Sequence, residues 1–156
     1  MWQVLFTATN AVAALAWLGL LLLPRAPLVR SALMYLGAGL LCLIYAVLFA
    51  MVISGSVDPV GATSAAARSP DLLSITGIQG FFSTQGGVVI GWTHYLAFDL
   101  FTGLWIAADA DNKGFSRWTQ APFLLATYLV GPIGLLAWLL VRERRARAVA
   151  RAAGSR

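Results

Sequence analysis

Charge is scarce in this chain. Only 11% of its 156 residues are Asp, Glu, Lys or Arg, less than half the quarter usual in soluble domains. A single cysteine, Cys42, rules out an intrachain disulfide and says nothing about redox compartment. One histidine and six acidic residues fall short of a recognisable metal-ligand set. There is no P-loop, no dinucleotide fingerprint and no HExxH. No positively charged n-region precedes the first apolar run, which is also long for a signal peptide.

What is abundant is apolar sequence, at 60% of the residues. Several unbroken runs of about 20 apolar residues exceed what a soluble domain of this length can hide. The expected class is an all-α integral membrane protein built as a four-helix bundle. Four spans read out, at Trp2–Leu23, Leu33–Ile53, Val88–Ala108 and Ala121–Val141. Each matches the ~20 residues that 1.5 Å per residue needs to cross ~30 Å of hydrocarbon. Lipid offers no partner for exposed backbone groups, so each span should be a helix. Pro24 and Pro27 close the first and open a short hairpin loop. Gly131-Pro132 with Gly134 predicts a kink in the fourth span. Trp2, Trp92, Trp105, Trp118 and Trp138 fall near expected interfaces, as an aromatic belt requires.

Residues 1–141 thus read as one transmembrane domain and 142–156 as a basic tail. The Ser/Gly/Ala-rich stretch Ser54–Asp71 reads as a loop. Leu72–Gly87 is apolar but interrupted by four glycines, and is a surface helix, a re-entrant segment or a poor fifth span. With four spans the termini share a side holding seven Lys/Arg against four, so the positive-inside rule places both in the cytoplasm. Five spans would score eight against three. The arginines of the tail suit a surface of anionic lipid. They lack the interleaved aromatics that single-stranded nucleic acid would favour, so no nucleic-acid partner is expected.

The third span carries the groups fit for chemistry. Asp99 lies near its midpoint, where an aspartate costs about 2.5–3.5 kcal/mol on insertion scales and needs a partner, a cavity or a proton. At 100° per residue Tyr95, Asp99 and Thr102 share a stripe, with Trp92 a turn away. His94 lies about 140° round from Asp99 on that helical wheel. Three readings compete: Asp99 as an acid or base, able to hold a proton and donate it to an oxygen; Asp99 with Tyr95 or Thr102 as an interhelical clamp, worth about 0.6–2 kcal/mol; and His94 with the aspartates as a metal site. The first is favoured and the metal site least. Asn10 in the first span also needs an internal partner, from another helix or from a ligand.

At Gly91–Trp105, GWTHYLAFDLFTGLW, the sequence resembles the family of plant neoxanthin synthase, the abscisic-acid-deficiency protein, and its bacterial relatives. The resemblance continues at Asp109-Ala110, at Gly131-Pro132-Ile133-Gly134-Leu135-Leu136, and at Asn10, Trp17 and Pro24. Where many relatives carry a histidine after the third-loop glycine, this chain has Gly114-Phe115-Ser116-Arg117. The resemblance implies four spans and an isomerase-like activity on a carotenoid or related isoprenoid lipid, without a cofactor. Opening an epoxide to an allene and an alcohol needs an acid at oxygen and a base for a vinylic proton. Asp99 is then the candidate acid and His94 the candidate base. Trp92, Tyr95, Phe98, Thr102, Trp105 and Asn10 are candidate substrate contacts, flat rings suiting a conjugated chain. A multi-pass protein of a bacterial inner membrane, able to oligomerise, is the setting implied. The other reading is a non-enzymatic protein that binds a lipid pigment or steadies a partner enzyme.

Overall fold

A computed structural model describes residues 1–61 and 71–154, with side chains to Glu143. The described chain is helical throughout, with no strand among those residues. Its helices are α1 (Trp2–Leu22), α2 (Pro27–Ile53), α3 (Ile75–Phe82), α4 (Gln85–Asn112), α5 (Arg117–Val130) and α6 (Pro132–Gly154). Part of the predicted 54–71 loop, residues 62–70, lies outside the described residues.

Among the described residues, α1 and α2 are long and apolar enough to cross a membrane. α4 is 28 residues long, but Thr93, His94, Asp99 and Thr102 interrupt its apolar run. This helix is the central post of the fold. α1 lies parallel to it: Trp2 meets Gly86, Asn10 meets Trp92, and the Trp17 ring lies against Gly103. α2 runs antiparallel, placing Tyr45 on His94 and Gly37 against Leu100 and Ala16. It opens on Pro27 at its first turn, where a missing N–H costs nothing, and Leu33–Gly39 forms a π-helical stretch. Leu72–Gly87 resolves into α3, capped by the Ser74 hydroxyl, and a turn into α4, capped by Thr84. At eight residues α3 is a surface helix, too short for a fifth span; it buries Phe81 and exposes Ile75 and Phe82.

The expected fourth span is not one crossing helix. Val130 ends α5, Gly131 takes φ +40° and ψ −97°, and α6 sets off from Pro132 in the opposite sense. Gly134 packs on the backbone of Thr127, and the rings of Phe123 and Trp138 meet at 5.5 Å. A straight helix would hold those rings about 22 Å apart. Ala121–Val141 is therefore a tight helical hairpin, because only glycine takes that reversal easily and Pro132 cannot continue the preceding hydrogen-bond ladder. The bend is a full reversal where the sequence suggested a kink.

The reversal also moves the C-terminal segment. Trp2 sits beside Asp58 and Gly86 at the start of α4, whereas Arg142 is bound to Asp109 near its end. The two ends of the chain thus lie at opposite ends of the helical body, contrary to the expectation of a shared side. Trp138, expected in an interfacial belt, is fully buried and donates its indole N–H to Asp109. Trp118 remains 90% exposed, as a belt residue would.

Candidate functional site

Asp99 lies halfway along α4 and only 8% of its surface is exposed. Its place on the helix face turned toward α5–α6 puts the carboxyl beneath the tip of that hairpin. An ideal Cβ on Gly131 would stand 2.6 Å from Oδ1, so glycine alone lets the tip and the carboxyl meet. Oδ2 is buried and has no hydrogen-bond partner among the described residues. The Tyr95 side chain, one turn back on the same stripe, interacts with the carboxyl electrostatically.

From Tyr95 the stripe continues toward the start of α4. The rings of Trp92 and Tyr95 stack at 5.3 Å, and Phe6 of α1 lies 6.0 Å from Trp92. The Trp92 indole donates to Asn10 Oδ1 at 3.1 Å, while the Asn10 amide donates to the Phe6 carbonyl at 2.7 Å. Asn10 thus has the internal partner its position demanded. Thr102 lies half-buried one turn beyond Asp99.

His94 and Phe98 stand elsewhere. The imidazole lies 5.4 Å from the Tyr45 ring and 4.6 Å from Phe98, on the α2 side of α4. It lines a small apolar groove with Phe49, Phe81 and Phe82. Phe98 lines the neighbouring groove of about 370 Å³ with Ala38, Cys42 and Phe101. His94 and Asp99 therefore face different sides of one helix, as their 140° separation foreshadowed. Trp105 is also apart from the stripe: the Arg142 guanidinium lies 5.4 Å from its ring centre.

Sequence reasoning missed the charged end of the body. Asp109 accepts from Arg142 through Nε at 2.8 Å and a terminal nitrogen at 2.9 Å, from Lys113 at 2.7 Å and from Trp138 at 3.1 Å. Asp111 accepts from Arg25 and Arg30, each at 2.8 Å, and from the buried Gln120 amide at 2.9 Å. Burial pushes both carboxyls up, but hydrogen bonds and the adjacent cations outweigh it and hold both below the ordinary carboxylate value. This network ties the α1–α2 loop and the base of the α5–α6 hairpin to the end of α4. The signal for it was Asp109-x-Asp111 at a helix end, with Arg25, Arg30 and Arg142 in the segments that flank it. Among the described residues no cluster of three His, Cys, Asp or Glu is placed to hold a metal.

The fold and site define a helical protein with two membrane-length apolar helices and a buried, incompletely partnered carboxyl at mid-helix. The sequence matches the ABA DEFICIENT 4-like family over residues 4–138, and the chain belongs to that family. That span runs from Val4 in α1 to Trp138 in α6 and includes Asn10, Trp92, His94, Tyr95, Phe98, Asp99, Thr102 and Trp105. No curated protein and no solved structure matches the chain.

Proposed function

We propose that this protein is a membrane-embedded isomerase acting on an oxygenated carotenoid or related isoprenoid, with Asp99 as its proton-transfer group. The observation that carries the reading is the Asp99 carboxyl, buried at mid-helix with Oδ2 unpartnered among the described residues and Tyr95 one turn away on the same stripe. Ionisable side chains at such depth favour function by default. Membership of the ABA DEFICIENT 4-like family supports a carotenoid-related substrate.

The separation of His94 from Asp99 changes the expected division of labour. An isomerisation returns the proton it borrows, so one carboxyl can serve twice. The protonated acid gives its proton to the epoxide oxygen as the C–O bond breaks. The resulting carboxylate then takes the vinylic proton as the allene forms. Tyr95 orients the carboxyl through both states, and Trp92 offers a flat face to the conjugated chain.

In the membrane disposition that accompanies this reading, α1, α2 and α4 cross the bilayer while α5–α6 enters from one side and turns back at mid-depth. Gly131 to Arg142 spans about 16 Å of helix, close to half a hydrocarbon core. Every Lys and Arg except Arg68 belongs to the Asp109/Asp111 end of the body or follows Arg142 in sequence. The positive-inside rule then makes that end cytoplasmic and places the N-terminus on the far side.

The test is pigment extraction from a carotenoid-producing bacterial host expressing the protein. A product of unchanged mass and new retention time is expected; unchanged pigments in hosts supplying both epoxy- and hydroxycarotenoids would count against the activity. A structural reading is favoured by one observation, the packing of Asp99 against Gly131. It predicts that Asp99→Leu destabilises the protein, whereas the enzymatic reading predicts a folded, inactive variant.

A further inference from the structure

Four buried side-chain atoms have no hydrogen-bond partner among the described residues, and two of them, Arg25 Nε and Gln120 Oε1, belong to the charged end. The other two are Asp99 Oδ2 and Trp17 Nε1. Both residues are more than nine-tenths buried, Trp17 at 2% exposure. The indole N–H groups of Trp2, Trp92 and Trp138 each donate to an oxygen, whereas that of the equally buried Trp17 does not. Three sets of contacts bring this donor to Asp99. α1 and α4 lie parallel with Asn10 bonded to Trp92, and seven residues further along each helix stand Trp17 and Asp99. Seven residues fall only about 20° short of two turns, so Trp17 and Asp99 face each other as the pair before them does. The Trp17 ring rests on Gly103, one turn beyond Asp99, where an added Cβ would stand 2.3 Å from Cη2. Tyr128, 5.4 Å from the Trp17 ring, lies one turn before Gly131, whose backbone meets the Asp99 carboxyl.

We infer that Trp17 and Asp99 together bind one oxygen atom, the indole N–H donating to the oxygen that receives the Asp99 proton. Resting on the functional reading above, this makes Trp17 a second catalytic residue. As the C–O bond breaks, its electron pair passes to the oxygen and the Asp99 proton follows, giving a hydroxyl. The carboxylate then takes the carbon-bound proton, so the isomerisation balances without a further reactant. The indole proton stays on nitrogen throughout. An indole donates and has no acceptor, so it steadies charge developing on the oxygen without competing for the proton. Held by packing on Gly103, the donor needs no reorganisation at that moment. Between turnovers a water oxygen fits the same two groups.

The experiment has two arms, one of which needs no substrate. The first uses the full chain in lipid nanodiscs with isotope-labelled tryptophan, the Trp17 indole resonance being assigned by its loss in Trp17→Phe. Magnetisation transfer from water to that indole proton is expected, and should be lost in Asp99→Leu, which removes the water's second anchor. No transfer in the unaltered protein, or undiminished transfer in Asp99→Leu, would overturn the site. The second arm replaces Trp17 by its benzothiophene analogue, in which sulfur stands in place of N–H and the ring keeps its shape. In the carotenoid-producing host, with melting temperature unchanged, the initial rate of conversion per protein should fall about 10²–10³-fold, as on removal of one oxyanion donor. A full rate would overturn the role of Trp17. Transfer without any conversion by the unaltered protein would defeat the isomerase reading and leave the oxygen site standing. Conversion that depends on Asp99 but occurs without transfer would do the reverse.

Discussion

Replacing Gly131 with alanine should unfasten the C-terminal hairpin, and the geometry sets the size of the effect. The backbone there, at φ +40° and ψ −97°, costs an L-residue about 1–3 kcal/mol. The new methyl would stand 2.6 Å from Asp99 Oδ1 and 3.1 Å from Oδ2. Relieving that overlap adds about 1–3 kcal/mol. In a chain of this size each kcal/mol lowers the melting temperature by about 2–4 °C. Gly114→Ala is the matched control, because φ is +66° there but nothing lies within 4 Å of the added carbon. It should cost about 1–2 kcal/mol from backbone conformation alone. The assay is loss of helical circular dichroism on heating the detergent-solubilised protein. Gly131→Ala should melt below Gly114→Ala, and Asp99→Ala in the Gly131→Ala background should recover at least about 1 kcal/mol of coupling. Equal melting of the two glycine variants, with strictly additive effects in the double variant, would refute the contact between hairpin tip and carboxyl.

Other expectations follow from the charged end and from the disposition proposed for the membrane. Asp109→Asn leaves Arg142 and Lys113 without their shared carboxylate and should cost about 1.5–3 kcal/mol, read from the same melting curves. Because the folded Asp109 and Asp111 titrate below their ordinary value, 3.8, the unfolded chain binds more protons in that range and stability rises with pH there. Their contribution is full above the ordinary value and is lost as pH falls through the depressed folded values. Melting temperature should therefore be flat from neutrality to about pH 5 and drop in stronger acid, a drop that Asp109→Asn reduces. In a Cys42→Ser background, an impermeant maleimide should label Gln3→Cys from outside right-side-out vesicles and Trp118→Cys only from inside-out ones. Labelling of both from one side would contradict opposite exposure of the two ends.

Much of this arrangement could be read from residue pattern, for stated reasons. Apolar runs and prolines mark α1, α2 and their connection because local propensity and length decide those elements. The 100° repeat aligned Tyr95 with Asp99 and set His94 about 140° away, as the structure has them. The hairpin was not legible, since Gly131-Pro132-Ile133-Gly134 permits a kink or a full reversal. The choice between them is made by distant partners: Asp99 and Thr127 at the tip, Trp138 and Asp109 at the base. Trp138 looked interfacial by position for the same reason, its burial depending on a fold-back that brings Phe115 and Phe123 around it. Trp105 and Phe98 have the right chemistry for a polyene but the wrong azimuth to reach Asp99. Chain position and residue type could not separate them from Trp92, which does lie on the stripe.

The most direct measurement compares Asp99→Asn with His94→Ala in the carotenoid-producing host, reading pigment profile and protein abundance together. Because the two side chains face opposite sides of α4, Asp99→Asn should abolish the product at undiminished abundance while His94→Ala still forms it. Undiminished product from Asp99→Asn would contradict the account, and loss of product only in His94→Ala would move the chemistry to the α2 face.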